Sequence, residues 1–201
     1  MITHVITSGT FSIDGEDFAV DNNIWIVGDG QEVVVIDAAH EAQPIIDGIA
    51  GRRVRAIICT HGHNDHVNAA VELADATGAP VLLHPADRML WDVVHPDRAP
   101  DGEIADGEVF SVGGVELRAI ATPGHSPGGV CLYDEADGVV FSGDTLFNGG
   151  PGATGRSFSS RDLILDSIRT RLLPLPPDTV VHTGHGDSTT IGAEAPALRE
   201  A

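Results

Sequence analysis

The chain has 201 residues, 42% of them hydrophobic, and a mean hydropathy near zero, which predicts one globular domain over residues 1–201. Its 30 acidic residues outnumber 11 basic residues, all arginine, so a nucleic-acid-binding protein is disfavoured, because such proteins neutralise phosphates with basic surfaces. No segment approaches the ~18 apolar residues of a membrane span, and no secretory signal is visible, so we expect a cytoplasmic protein.

Strands and helices alternate in the predicted first half. Runs of β-branched residues indicate strands, and apolar residues spaced at i, i+3, i+4 and i+7 indicate helices. In chain order the pattern predicts a strand at 2–7, a hairpin of strands 23–27 and 32–37, a helix near 41–50, a strand at 54–60, a helix at 67–77, a strand at 81–83 and a short helix near 86–91.

The fourth predicted strand runs into the sequence HGHNDH, which has four potential metal ligands within six positions. If the chain stays extended there, His61 and His63 point the same way and can bind one cation together, while Gly62 lets the backbone bend close to the ion. Asp65 and His66 begin the next predicted helix, so their side chains diverge and can reach a second cation ~3.5–4 Å from the first. The segment therefore predicts two adjacent metal sites.

In the second half, three predicted strands each lead into a glycine-rich turn that carries one more potential ligand: His125, Asp144 and His185. The elements predicted here are strands near 115–121, 129–133 and 138–142, a helix at 160–172, a strand at 179–182 and a short terminal helix. Because strand, glycine turn and ligand recur in the same order, we expect these side chains to meet at one edge of a sheet.

Other residues of metal-binding type are expected to be structural. The two cysteines, Cys59 and Cys131, each lie in a strand-like run and are predicted to be small buried side chains. The histidines outside the ligand set are expected to be satisfied surface or core residues, and they include His4, His40, His84, His95 and His182.

The ligand pattern resembles that of the metallo-β-lactamase fold superfamily, over about residues 23–194. Its three later turns, PGHSPG, FSGDTLF and GHGDSTTIG, are similar to the ligand turns of short glyoxalase II-like (hydroxyacylglutathione hydrolase-like) metallohydrolases. The resemblance implies an α/β fold with the architecture of a four-layer αββα sandwich, whereas periodicity alone leaves the topology open.

By position, the resemblance places seven side chains around two divalent metal ions. Three bind the first ion, three bind the second and one carboxylate lies between them: His61, His63 and His125; Asp65, His66 and His185; and Asp144. The shared carboxylate can give one oxygen to each cation and so limit their repulsion. Asp65 is also expected to act in catalysis. The ions are expected to be zinc, with iron or manganese as alternatives, because histidine and aspartate ligands accept all three.

The implied activity is that of a binuclear metal-dependent hydrolase, a thioesterase that cleaves small acyl thioesters of a low-molecular-weight thiol. A thiol of pKa ~8.5 leaves as an anion without a dedicated general acid. A persulfide dioxygenase with one iron is the main alternative, since it is similar through His61, His125 and Asp144 but differs around the last histidine. A β-lactamase is disfavoured, because it must expel an amide nitrogen and its best-known subclass has cysteine at the position of Asp144.

Two further residues have roles that the sequence leaves open. Arg156, in a glycine-rich loop, either approaches the carboxylate of the thiol carrier, as in similar thioesterases, or is a solvated loop residue. Asp37, at a strand end, either accepts a hydrogen bond from a ligand histidine or belongs to a turn. The expected partner is a small thioester, with neither nucleic acid nor a membrane. The acyl group, the thiol carrier (glutathione, mycothiol or another) and a homo-oligomeric state are left open.

Overall fold

Two β-sheets pack face to face in the computed structural model, which describes residues 1–200. The first sheet has six strands whose spatial order follows the chain: β1 (Ile2–Ile13), β2 (Glu16–Gly28), β3 (Glu32–Ile36), β4 (Arg53–Ile58), β5 (Val81–Leu83) and β6 (Gly102–Glu103). Strands β1, β2 and β3 pair antiparallel, and β3 through β6 pair parallel.

The second sheet also has six strands, in the spatial order β14-β13-β10-β9-β8-β7. Their bounds are β7 (Val109–Val112), β8 (Val115–Ala121), β9 (Val130–Asp134), β10 (Val139–Gly143), β13 (Val180–Thr183) and β14 (Thr189–Thr190). Strand β13 is parallel to β10, and the other neighbours are antiparallel. A small separate hairpin follows β10 and consists of β11 (Leu146–Phe147) and β12 (Gly150–Pro151).

Helices cover the outer face of each sheet. The first sheet is covered by α1 (Ala42–Ile49), α2 (Asn64–Val67), α3 (Ala70–Thr77) and α4 (Arg88–Val94). The second sheet is covered by α5 (Arg161–Ser167), its π-helical continuation (Ile168–Leu172) and α6 (Ile191–Glu200). Among the described residues, no helix is both long and apolar enough to cross a membrane.

Alternation of side chains along the strands produces three apolar layers. In β2, Ile24 and Ile26 face the helices, whereas Trp25 and Val27 face the second sheet. The second sheet does the same, since Phe141 packs between the sheets and its neighbour Val140 packs under α5. Each fully buried side chain of this size contributes ~1.5–3 kcal/mol. The predicted four-layer αββα arrangement is therefore confirmed.

The first two strands extend beyond the predicted strands at 2–7 and 23–27, because β1 and β2 form a long hairpin paired from Ile2 with Val27 to Ile13 with Glu16. Its outer half is largely exposed, so it lacks the apolar alternation by which strands are recognised. The turn at Asp14 and Gly15 was the available signal, since both residues have positive φ (53° and 78°) and an Asp-Gly pair favours such a two-residue hairpin turn.

The helix predicted at 67–77 is divided in two by contacts with the loop between β3 and α1. Ala38 donates a backbone hydrogen bond to the carbonyl of His66 (2.9 Å), and its own carbonyl accepts one from Ala69 (3.0 Å). These long-range bonds take the place of continuous helix bonds, so α2 ends at Val67 and α3 begins at Ala70. The predicted end at Gly78 is confirmed, with φ of 71° at that residue.

Candidate metal centre

Loops that follow β4, β8, β10 and β13 meet at one edge of the sandwich. The first carries HGHNDH, and the other three carry His125, Asp144 and His185. Glycine is required where these loops approach each other most closely: a Cβ on Gly184 would overlap the Asp144 carboxylate. The predicted convergence of ligands at a sheet edge is therefore present, and both sheets contribute to it.

All seven side chains lie in three overlapping groups, in each of which the ligand atoms are within 4.8 Å of one another. The groups are His61, His63 and His125; His61, His66 and Asp144; and Asp65, His66 and His185. The first and last correspond to the two ligand sets expected from the sequence. The middle group joins them through Asp144, as the predicted bridge requires.

Several buried side-chain atoms of this cluster lack hydrogen-bond partners, as expected if they bind two cations. Four buried atoms have no hydrogen-bond partner here: His61 Nε2, His63 Nε2, Asp65 Oδ1 and Asp144 Oδ1. Leaving such an atom unpaired costs ~1–3 kcal/mol. In addition, His125 Nε2 lies 3.0 Å from His63 Nδ1, and His66 Nε2 lies 3.2 Å from His185 Nε2. A divalent cation within each set would satisfy nitrogens that otherwise face each other, and nitrogen and carboxylate donors suit zinc, iron or manganese.

Burial and charge divide the histidines of the cluster into two kinds. Burial, reinforced by nearby histidines, lowers the pKa of His61 well below its usual value and that of His63 to about 3, so both are neutral and able to bind metal. For His66 and His185 burial is outweighed by neighbouring carboxylates, Asp144 first, which raise the pKa of His185 to about 10. The same attraction holds the pKa of Asp144 well below its usual value, despite burial. Cations would replace these protons on binding.

Asp37 supports the second ligand set. Its Oδ2 accepts hydrogen bonds from His66 Nδ1 and Thr60 Oγ1, both at 2.8 Å, and its Oδ1 accepts one from the Thr60 amide at 2.7 Å. Thr60 Oγ1 in turn lies 3.1 Å from His61 Nδ1. The residue has a φ of 62° at the strand end. Asp37 is thus both a turn residue and the acceptor for a candidate ligand histidine.

Asp87 supports the first ligand set, and this role is not predicted by the sequence pattern. The carboxylate is fully buried and accepts hydrogen bonds from the Gly62 amide (2.8 Å), Ser126 Oγ (2.7 Å) and the Gly128 amide (2.5 Å). Gly62 lies between His61 and His63 in the chain. Asp87 therefore joins the two loops that carry the first set. Nothing in its local sequence, a short turn before α4, indicated this long-range contact.

Hydrogen bonds also orient the rings of His125 and His185 and the carboxylate of Asp65. His125 Nδ1 lies 2.9 Å from the Ala153 carbonyl, and His185 Nδ1 lies 2.7 Å from the carbonyl of Asp21. Each bond directs Nε2 of that ring toward the cluster. One further contact was missed: Asn22 Nδ2 donates to Asp65 Oδ2 (3.1 Å), which leaves Oδ1 free.

Arg156 lies apart from the ligand set, on the surface loop that faces the β1–β2 hairpin. Its guanidinium forms an ion pair with Glu16 and lies 5.5 Å from the centre of the Phe18 ring. The side chain is 42% exposed. A carboxylate ligand would therefore have to compete with Glu16 for this arginine.

Both cysteines are buried, as predicted, and neither occurs in a potential metal group of the described residues. Burial raises the pKa of the Cys131 thiol to about 11. Two of the remaining histidines have hydrogen-bond partners away from the cluster: His84 Nδ1 accepts from the Ala86 amide, and His95 Nε2 lies 2.8 Å from the Val67 carbonyl. These side chains are accounted for by hydrogen bonding or packing.

Comparison with known proteins supports the family resemblance inferred from the sequence. The family model described as the Metallo-beta-lactamase superfamily matches residues 18–185. The hydroxyacylglutathione hydrolase GloC of Haemophilus influenzae is 33% identical over 189 residues, which are 85% of this chain and 87% of that protein.

Two solved structures are similar over most of their length. The crystal structure of TTHA1623 in a di-iron-bound form gives a TM-score of 0.79 at 34% identity, over 88% of this chain and 93% of that one. The crystal structure of BLEG-1 B3 metallo-beta-lactamase also gives a TM-score of 0.79, at 28% identity, over 93% of this chain and 95% of that one. Fold, ligand arrangement and family model agree with the resemblance inferred from the sequence. We conclude that the chain belongs to the metallo-beta-lactamase superfamily and is a metallo-hydrolase of that superfamily.

Proposed function

We propose that the protein is a binuclear metal-dependent thioesterase that cleaves small acyl thioesters of a low-molecular-weight thiol. The convergence of seven donors into two sets joined by Asp144 is the observation that carries this proposal. A relative named as a hydroxyacylglutathione hydrolase, a thioester-cleaving activity, supports the substrate class. Zinc is the proposed metal, with iron or manganese as alternatives, and the di-iron-bound form of one similar structure supports keeping iron among them.

The metal ions would be held by the residues already described, with Asp144 between the two sets. When bound, two divalent ions supply Lewis acidity, which lowers the pKa of water to ~7 and polarises a carbonyl. The Asp65 carboxylate, with one oxygen fixed by Asn22 and the other buried and unpaired, would bind the second ion and can also orient water beside it and accept its proton. The thiolate leaves as an anion, because a thiol of pKa ~8.5 needs no general acid.

The decisive experiment measures hydrolysis of a short acyl thioester without oxygen. We expect cleavage that a chelator abolishes and that added zinc, iron or manganese restores. The same preparation is assayed for oxygen uptake and sulfite formation from a persulfide, and for opening of a β-lactam. Strict oxygen dependence with sulfite as product would replace the proposal with the one-iron dioxygenase, and preferred β-lactam cleavage would replace it with a lactamase.

Arg156 is the proposed contact for a carboxylate of the thiol carrier, and it gives a testable prediction. Arg156→Ala is expected to reduce kcat/KM about tenfold for a carrier with a carboxylate, as for loss of one charged hydrogen bond, and much less for a minimal thioester that lacks one. Steady-state kinetics on both substrates measure the difference.

Glu16→Gln provides the matched control, because it frees the guanidinium from its ion pair. This variant should keep or improve use of the carboxylate-bearing carrier. Equal losses on the two substrates in Arg156→Ala would show that Arg156 has no role in binding the carrier.

A further inference from the structure

A cleft of about 210 Å³ opens directly beside the first ligand set. Three segments enclose it: the tip of the β1–β2 hairpin, helix α4, and the loop at Ser157 and Phe158. His63 and its two chain neighbours, Gly62 and Asn64, also line it. A group bound there would therefore be next to a candidate metal ligand.

One wall of the cleft is apolar although it faces solvent. Leu90, Val93 and Val94 of α4 line it together with Phe158. Val93 is 82% exposed and Phe158 is 57% exposed. Single exposed apolar residues are ordinary, but several that converge on a cavity beside a candidate active site indicate a place for an apolar group.

The loop that carries Phe158 is held in a strained form. Phe158 has a φ of 66°, which an aromatic residue rarely adopts. Two contacts tie this loop to the hairpin: the Ser157 amide donates to Asp14 Oδ2 (3.0 Å), and Arg156 pairs with Glu16. The ring is therefore presented at the cleft by a fixed backbone, an arrangement found at ligand-binding positions.

The charge of the lining disfavours an anionic occupant. Among the described residues that line the cleft, none is an arginine, and Asp14 contributes a carboxylate. Arg156, the candidate contact for the carrier's carboxylate, is not part of the lining. The thiol carrier, near Arg156, and the acyl group, in the cleft, would thus occupy different places. The cleft suits the acyl group, which is uncharged.

We propose that this cleft binds the apolar acyl chain of the thioester and thereby sets chain-length specificity. This inference rests on the proposed thioesterase function. An apolar cavity of ~150 Å³ is large enough for benzene, so a cleft of about 210 Å³ has room for roughly six to eight carbon atoms. Among the small acyl thioesters of the proposed function, the preferred substrates are therefore those with an uncharged acyl chain of up to about eight carbons.

The test uses the metal-loaded protein and straight-chain acyl thioesters of one thiol, from two to ten carbons. We expect kcat/KM to rise about two- to fourfold per methylene, up to ~0.8 kcal/mol each, and to level off at roughly eight carbons. Val93→Asn should flatten this rise. Met89→Asn is the matched control, because Met89 is 47% exposed on the same helix but does not line the cleft.

Binding is measured independently of turnover by NMR of the valine and leucine methyl groups with octanamide, an uncharged probe. Shifts at Val94 and Leu90 that Val93→Asn reduces and Met89→Asn does not would support the cleft. A flat chain-length profile, or equal effects of the two variants, would overturn it while leaving the thioesterase proposal intact. Absence of hydrolysis at every length, with octanamide still bound there, would reject the thioesterase and retain the apolar site.

Discussion

Replacing Asp144 with alanine is expected to lower the metal content from about two ions per chain to less than one and to reduce thioester hydrolysis by about a thousandfold or more. Asp144 Oδ1 lies 3.3 Å from His66 Nε2, and Oδ2 lies 3.4 Å from His185 Nε2 and 3.5 Å from His125 Nε2. The substitution removes one ligand from each set. It also removes the negative charge that limits repulsion between the two cations. Elemental analysis and anaerobic kinetics measure the two effects.

Cys59→Ser is the control for this variant. The side chain is fully buried in the core that lies under the helices of the first sheet, two residues from His61. We expect Cys59→Ser to retain metal and activity. A folded Asp144→Ala protein with two ions per chain would contradict the shared carboxylate, and a folded Cys59→Ser protein without metal would show that the thiol takes part in the site.

The second large effect concerns the two buried carboxylates that support the ligand loops. Asp37→Asn and Asp87→Asn are each expected to weaken binding of one metal ion by about ten- to a hundredfold. Each carboxylate accepts three hydrogen bonds, so an amide would turn an NH₂ group toward donors it cannot pair with. Asp87 contacts the loops of the first ligand set, whereas Asp37 contacts His66 of the second.

A competition titration with a chromogenic zinc chelator separates the two sites. Asp87→Asn should weaken one of two binding steps and Asp37→Asn the other, and the double variant should weaken both. Asp92→Asn is the matched control, because Asp92 is an exposed carboxylate on α4 paired with Arg88. Equal weakening of both steps by each single variant would contradict the assignment of one carboxylate to each site.

Local sequence patterns were sufficient to indicate the candidate ligand residues and most of the secondary structure. The spacing within HGHNDH and the glycine turns at His125, Asp144 and His185 are properties of short segments, so the sequence alone indicates them. Strand alternation such as Ile24 and Trp25 likewise depends only on the period of the chain. The layer order came from the family resemblance, since periodicity does not specify which strands pair.

Contacts between residues far apart in the sequence determined the remaining features of the fold and the site. Asp87 is 25 residues from Gly62 and 39 from Ser126. Its sequence neighbours therefore do not indicate the hydrogen bonds by which it joins two candidate ligand loops. The pairing of Arg156 with Glu16 and the division of the helix at Ala69 have the same origin. A side chain's type and spacing describe what it can bind, but a hydrogen bond forms only where folding has brought its partner within ~3 Å, and that placement depends on the packing of the whole chain.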